Sequence, residues 1–265
     1  MRKLFVYILA VLTFAGCEVI REEDRLIPVE TRTGVRRHVL LEFTGFRCVN
    51  CPTAAELAQS LEQTYEGQLY TVSLHPASNP FTQGAYDYTC PAADSVYQWM
   101  GGTATTPFPA GNVNMRPFED ESFADMSLWA TMVYDAMQDT LAPYIRCVSA
   151  VADTTQQQAN VLIAYAPSVE ANMACWLIED SVAGVQAMPD GTVNTHYYHR
   201  HVLRAAWAHP FGEPINSQAS EMHISIAIPE GCNPRHCSVI AMLLDKNDFH
   251  ILNAHETALD FRTDY

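Results

Sequence analysis

The first half of the chain alternates short apolar runs with stretches of helical periodicity. Val39 to Phe43 is almost uninterrupted apolar sequence and predicts a buried strand over 38–43. Over 52–66, Ala54, Leu57/Ala58, Leu61 and Tyr65 fall on one face at helical spacing, and Gly67 can end that helix. Leu69 to His75 predicts a second strand. Pro76 to Thr89, rich in Pro, Ser, Asn and Gly, is a long loop of the kind compact domains keep for function. Pro91 opens a short helix carrying Val96, Tyr97 and Trp99, and Gly101-Gly102 breaks it. A proline-rich stretch from Thr105 to Asn114 then leads into a strand. Residues 122–141 carry the clearest stripe, with Phe123, Met126, Trp129/Ala130, Val133, Met137 and Leu141 at helical spacing. Ser122 with Asp125 resembles a capping pair there, and Pro143 is expected to stop the helix.

From Tyr144 onward the period is that of strands. Ile145–Val151, Asn160–Tyr165, Met173–Ile178, Glu221–Ile228 and Ser238–Leu244 are short runs with alternation or β-branched enrichment, and Pro189-Asp-Gly191 is a turn between two of them. Short strands without intervening helices predict a β-sandwich. No internal repeat is evident. The expected organisation is therefore a leader over 1–17, a polar tether over 18–36, an α/β domain over 37–143 and a β-sandwich over 144–265.

The leader assignment rests on three features. Arg2 and Lys3 precede an apolar stretch from Leu4 to Phe14, too short to span a bilayer, and the stretch ends in Ala15-Gly16-Cys17. The last three residues resemble the lipobox of bacterial lipoproteins, in which the leader is cut before a cysteine that is then lipidated; Cys17 is the expected lipidation site. Phe14 stands where that pattern usually has Leu. An ordinary signal peptide with an incidental cysteine is the alternative. No later run is long and apolar enough for a transmembrane helix, so the expected membrane attachment is by lipid alone.

Charge narrows the partners. The chain has 15 basic and 30 acidic residues, and removing Arg2 and Lys3 leaves 13 against 30, a formal charge of −17. Nucleic acid and anionic lipid surfaces are poor partners for such a chain. Only 17% of residues are charged and 48% are hydrophobic, which favours a well-packed globular protein with uncharged polar loops. About 245 residues after the leader are enough for two ordinary domains.

The chemistry concentrates at Leu40-Leu-Glu-Phe-Thr-Gly-Phe-Arg-Cys48-Val-Asn-Cys51-Pro52. The predicted order is strand, Gly-containing turn, Cys-x-x-Cys, helix. Two cysteines three apart can close a small disulfide. The unpaired N–H groups and partial positive charge of a helix N-terminus stabilise a thiolate at the first of them. Of the eight cysteines, assigning Cys17 to lipid leaves seven. Cys48–Cys51 is one pair. Cys232 and Cys237 bracket a tight polar loop and could form another, while Cys90, Cys147 and Cys175 remain; spacing alone does not fix the connectivity.

His196, His199 and His201 form the other conspicuous cluster, with His199 and His201 expected on one face of a strand. Imidazoles in such a set can bind Zn²⁺ or Cu²⁺, or join an ordinary polar network with Tyr197, Tyr198 and Arg204. No cysteine or carboxylate at ligand spacing completes a metal site, and no metal or cofactor is assigned. The chain has neither a Gly-x-Ser-x-Gly elbow nor a Gly-rich nucleotide loop.

The Cys-x-x-Cys stretch resembles thioredoxin redox sites. The resemblance implies that Glu42, six residues before Cys48, is a buried acid relaying protons to Cys51. It also implies that Pro109, in Phe108-Pro-Ala110, is a cis-proline in a substrate-facing loop opposite the cysteines. Thioredoxins have Trp where this chain has Arg47, and Gly-Pro where it has Val49-Asn50. More of the chain resembles the twenty-eight-kilodalton outer membrane lipoprotein family. Leu-Leu-Glu-Phe-Thr-Gly-Phe-Arg-Cys-Val-Asn-Cys-Pro and Phe-Pro-Ala-Gly-Asn-Val-Asn carry the match in the first half. Trp-Leu-Ile-Glu-Asp-Ser-Val, Tyr-Tyr-His-Arg-His-Val-Leu-Arg and Leu-Asn-Ala-His-Glu carry it in the second. That resemblance implies an α/β thioredoxin-like N-terminal domain followed by an all-β immunoglobulin-like sandwich, attached to the outer membrane by lipid and facing either the periplasm or the cell surface.

Two functions fit. In the first, Cys48 is the attacking thiolate, Cys51 the resolving thiol, Glu42 the proton relay and Pro109 the substrate-facing residue of a thiol–disulfide exchange protein acting on cell-envelope proteins or peptides. In the second, the chain is a non-catalytic surface adhesion or binding lipoprotein whose Cys48–Cys51 bond is structural.

Overall fold

The computed structural model describes residues 33–261; Cys17 and the leader lie outside them. Among these residues the chain is mostly β. The central strand is β2 (His38–Phe43), buried along its whole length, as expected for a strand covered on both faces. It pairs in parallel with β3 (Leu69–Leu74), His38 opposite Leu69. A parallel pair needs a crossover, and α1 (Cys51–Thr64) supplies it. On its other side β2 pairs antiparallel with β4 (Ala110–Val113), Phe43 opposite Ala110 and Glu42 opposite Gly111.

The same sheet continues into the second half of the chain. Past β3 come β10 (Val202–Ala206), β7 (Ala171–Glu179), β13 (Cys237–Asp245) and β14 (Ile251–Ala258), with β11 (Glu213–Ile215) also on β7. The join is the parallel bridge of Val202 to Ser73, reinforced by the Ser73 amide donating to the His201 carbonyl at 2.8 Å. The eight-stranded sheet therefore runs without a break across the boundary read at Pro143, and the described residues belong to one compact unit.

Alternation along β7 and β13 divides the core. Ala174, Trp176, Ile240 and Met242 face a cluster shared with Phe43, Cys48, Cys51 and α2 (Pro91–Trp99). Met173, Cys175, Leu177, Val239 and Ala241 face the opposite way, onto a second sheet. That sheet contains β1 (Thr33–Val35), β5 (Leu141–Asp153), β6 (Gln158–Ala166) and β12 (Ser220–Ala227) in spatial order, with β15 (Asp260–Phe261) on β5. On the helix side, α1 and α3 (Trp129–Ala136) bury Ala54, Ala58, Leu61, Trp129, Met132 and Val133 against Leu40 and Leu69. A separate hairpin is formed by β8 (Val182–Ala187) and β9 (Val193–His199), which pair with each other.

The helix expected over 122–141 runs only from Trp129 to Ala136, 8 residues. Asp125, not Ser122, makes the N-terminal side-chain bond, accepting from the Ser127 amide at 2.9 Å ahead of a 3-10 turn over Met126–Leu128. At the other end the stripe is cut by tertiary partners. Arg36 pairs with Asp139, the Arg36 amide donates to the Thr140 carbonyl at 3.2 Å, and Leu141 already sits in β5 opposite Val35. Pro143 lies inside β5 opposite Thr33, its carbonyl taken by Asn253 Nδ2 at 2.8 Å. Leu141, expected in the buried stripe, is 70% exposed.

Candidate functional site

Cys48 and Cys51 are joined in a disulfide where the turn after β2 enters α1, their Cα atoms 5.4 Å apart. The turn is wound by local bonds, Cys48 N–H to Gly45 O at 3.0 Å and Cys51 N–H to Cys48 O at 3.3 Å. Asn50 precedes the helix and makes no side-chain cap. Gly45 is required by close approach, because a Cβ there would stand 2.6 Å from the Phe81 carbonyl oxygen. The Arg47 amide donates to that same oxygen at 3.0 Å, which docks the loop after β3 against the motif. Both cysteines are buried, Cys48 to 1% exposure and Cys51 to 2%.

Glu42, in the strand that leads into this turn, is buried as well. Its Oε2 accepts from Ser73 Oγ at 3.1 Å, while its Oε1 is buried without a hydrogen-bond partner. Burial drives the carboxyl group up to about 7, against the opposing pull of the Ser73 hydrogen bond. Glu42 lines a cavity of about 30 Å³ together with Cys51, Ser73, His75, Gln186 and His199. That volume has room for a water molecule between polar groups. His75 is fully buried with neither ring nitrogen bonded, and desolvation holds it well below the ordinary imidazole range. His199 Nε2 contacts the Val185 carbonyl at 3.1 Å, and burial lowers its pKa to about 4. The two imidazoles meet edge to face with ring centres 5.6 Å apart, and Tyr88 packs on both. His201 Nε2 and Glu62 Oε2, on residues that also line the cavity, lie 3.4 Å apart.

The β8–β9 hairpin covers this arrangement. Gln186 Nε2 donates to the Cys48 carbonyl at 2.8 Å and to the Gly45 carbonyl at 3.4 Å, and the Ala187 amide donates to the Phe46 carbonyl at 2.8 Å. A register shift between Gly184 and Gln186 places Gln186 inward, as a bulge does. Gly184 passes directly over Tyr88, where a Cβ would meet the hydroxyl at 1.6 Å, and the Val185 amide donates to that hydroxyl at 3.2 Å. Gln186, Tyr88 and His75 are site residues that the sequence did not announce.

Pro109 directly precedes β4, and the Phe108–Pro109 peptide is cis. Phe108 stacks on Phe81 with ring centres 6.0 Å apart and belongs to the same apolar cluster as Cys48 and Cys51. Thus Glu42, Cys48 and Cys51 come together around the turn and the cavity, while Pro109 enters through its neighbour Phe108.

The histidine cluster is not one strand face. β9 ends at the buried His199, His201 lies beyond it at φ 49°, and His196 is exposed on the hairpin. The backbone turns because Ser73 takes the His201 carbonyl as its partner. Among the described residues no three His, Cys, Asp or Glu side chains converge as a metal ligand set. Cys232 and Cys237, one possible pair, are free thiols here. Cys232 Sγ accepts from Arg204 Nε at 3.1 Å, and Cys237 Sγ donates to the Asn233 carbonyl at 3.3 Å. Burial pushes the Cys147 thiol up to about 11 and that of Cys237 up to about 12. Cys90 caps α2, accepting from the Ala93 amide at 3.4 Å.

Comparison with known proteins gives a family and a fold. The model of the family described as outer membrane protein Omp28 matches residues 97–262, more than half of the chain, and the match begins after Cys51. HBP35 of Porphyromonas gingivalis superposes with a TM-score of 0.67 at 14% identity, over 86% of this chain and 77% of that one. Protein AGR_C_4864 from Agrobacterium tumefaciens superposes with a TM-score of 0.53 at 14% identity, over 88% of this chain and 99% of that one. A domain of the outer membrane lipoprotein Omp28 from Porphyromonas gingivalis reaches a TM-score of 0.33 at 17% identity, over 45% of this chain and 96% of that one. For HBP35 and AGR_C_4864 the likeness at these identities is one of fold. No curated protein matches the sequence.

Proposed function

The chain belongs to the Omp28 family of outer membrane proteins, and we propose that it is a lipid-anchored cell-envelope protein that exchanges thiols for disulfides at Cys48–Cys51. The single observation that carries this reading is the placement of Glu42. A carboxyl group buried with one oxygen unbonded is costly, and a purely structural disulfide gains nothing from it. Sharing a cavity wall with Cys51, it is positioned to serve that sulfur. The order of β2, Cys-x-x-Cys, α1 and β3, with Pro109 leading into β4, supports a thioredoxin-like unit over 37–143. The packing of the second sheet on β7, β13 and β14 supports an immunoglobulin-like sandwich over 144–265, the two sharing one continuous sheet.

The reaction balances as follows. A partner thiolate attacks Cys48 Sγ, forming a mixed disulfide and releasing Cys51 as a thiolate. Glu42, carrying a proton near neutral pH, donates it to Cys51. A second thiol of the partner then attacks the mixed disulfide, leaving the partner oxidised and both cysteines reduced. The reverse sequence oxidises Cys48–Cys51 at the partner's expense.

A second reading, a binding lipoprotein with a structural disulfide, is favoured by the 1% exposure of Cys48. One experiment separates the two. For an exchange protein, Cys51→Ser captures envelope polypeptides as mixed disulfides at Cys48, and Cys48→Ser captures none. A reduction potential below about −300 mV together with no captured partner assigns the bond to structure.

A further inference from the structure

We propose that the main-chain edge from Gly45 to Cys48 is the docking edge for an extended partner polypeptide, and that the β8–β9 hairpin of this chain occupies that edge until a partner displaces it. The proposal rests on the exchange reading, since it states what must move for Cys48 to be reached.

Three observations lead to it. First, what bonds the main chain of the turn that carries the disulfide is itself a polypeptide strand. The Ala187 amide bonds the Phe46 carbonyl as an added strand would, and the side-chain amide of Gln186 takes the Cys48 and Gly45 carbonyls in the manner of a backbone N–H. An incoming extended chain offers the same donors at every second residue. Second, the hairpin strands pair with each other and with neither of the larger sheets, so releasing the hairpin breaks no ladder of the sheet that holds β2. It has few inward anchors. Val185, Gln186 and His199 are buried, whereas Val193 to His196 and Tyr198 are exposed. Elements held by few buried contacts open at a smaller free-energy cost than the core. Third, the surface beside the edge suits an unfolded, partly apolar chain. Phe46 packs on Tyr86 and Tyr88, with Val49 and Tyr86 exposed to 45% and 44% next to the motif.

With the hairpin in place, Cys48 Sγ is closed to any thiolate. With it displaced, a partner cysteine brought alongside Cys48 attacks Sγ, Cys51 leaves, and the partner's second thiol completes the exchange as above.

The test uses the oxidised full chain and two reductants, dithiothreitol and a reduced, unfolded polypeptide such as denatured ribonuclease A, at equal thiol concentration. In the wild type the polypeptide reduces Cys48–Cys51 faster than dithiothreitol does, because it replaces the hairpin's bonds. Gln186→Ala removes both side-chain bonds to the motif. It speeds reduction by dithiothreitol by about tenfold, the order of worth of the two bonds together, and narrows the polypeptide's advantage. A wild type that shows no preference for the polypeptide, or a folded Gln186→Ala chain reduced no faster than the wild type, overturns the proposal. If Gln186→Ala does not fold, hydrogen exchange of the wild type decides instead. The amides of 182–199 must open at least as fast as the disulfide is reduced, and protection equal to that of β7 overturns the proposal. Faster reduction of Gln186→Ala with no envelope partner captured by Cys51→Ser keeps the displaceable hairpin and rejects exchange as the function. Captured partners with an unaffected Gln186→Ala do the opposite.

Discussion

The side-chain amide of Gln186 donates to the carbonyl oxygen of Cys48 at 2.8 Å, joining residues 138 apart in sequence. One residue of the bond lies in the turn that carries the disulfide, the other in a hairpin of the β-rich half. The bond makes access to the Cys-x-x-Cys site a property of both halves of the chain. Under the exchange reading proposed above, this bond is one that must open before the buried Cys48 sulfur is reached.

Glu42 sets a pH dependence whose sign is fixed. Its proton is held more tightly in the folded chain, with a pKa of about 7, than at the ordinary value of 4.5. Its contribution to stability is therefore complete below about 4.5 and is lost as the pH rises through about 7. Glu42→Gln should abolish that loss and leave the oxidised chain more stable than the wild type at pH 8, by about 2–3 kcal/mol. Urea unfolding at pH 5 and pH 8 checks it. Equal pH dependence in both chains would show that Glu42 is not the responsible group. The same variant should slow exchange near neutral pH while leaving Cys48 able to form mixed disulfides.

The free thiols should differ in reactivity by burial. Cys232 is half-buried, while Cys90, Cys147, Cys175 and Cys237 are buried with thiols raised by desolvation. Iodoacetamide applied to the native, oxidised chain should label Cys232 first, and Cys147 and Cys175 only on unfolding. Mass spectrometry of peptides over a time course reads the order, and early labelling of Cys175 would contradict the packing of the two sheets.

Gly111 is fixed by close approach of a ring. A Cβ there would stand 2.3 Å from the indole nitrogen of Trp129, which donates to the Ala124 carbonyl at 3.1 Å. Gly111→Ala should cost about 1–3 kcal/mol by overpacking. Because Gly111 in β4 sits opposite Glu42, the variant should also disturb the surroundings of Glu42 and the disulfide. A melting temperature within a degree of the wild type would show that Trp129 moves freely aside.

Lipidation at Cys17 is expected from the leader pattern. Cys17→Ser should release the protein from membranes or block its processing. Mass spectrometry of the mature wild-type chain should find acyl groups on an N-terminal Cys17, and a mature chain without them would remove the anchor.

The elements around the disulfide were largely legible because their signals are local. The nearly continuous apolar run at 39–43, the stripe of Ala54, Ala58 and Leu61, and the breaks at Gly67 and Gly101 each act within a few residues. The helix over 122–141 was misjudged where local periodicity met distant partners. Leu141 and Pro143 have helical spacing and a stop signal, yet β1 and Asn253 offer them a ladder edge and a hydrogen bond. The hairpin over 182–199 gave only its turn at Pro189-Asp-Gly191. Most of β9 is exposed and polar, and a strand with neither face buried along its length shows little alternation.

The sequence by itself determined the local chemistry: two cysteines three apart at a helix start, an acid six residues earlier in a strand, and a Pro-bearing entry to another strand. Spacing along the chain is enough for that, since each feature is set by neighbours within a turn or a strand. Only the tertiary structure decided that the two halves share one sheet through Val202 and Ser73, that Glu42 is buried with an unbonded oxygen, and that Gln186 bonds the Cys48 carbonyl. These depend on pairings between residues far apart in sequence. The free energy of such pairings comes from burial and hydrogen bonding in the assembled fold, and no local pattern records it.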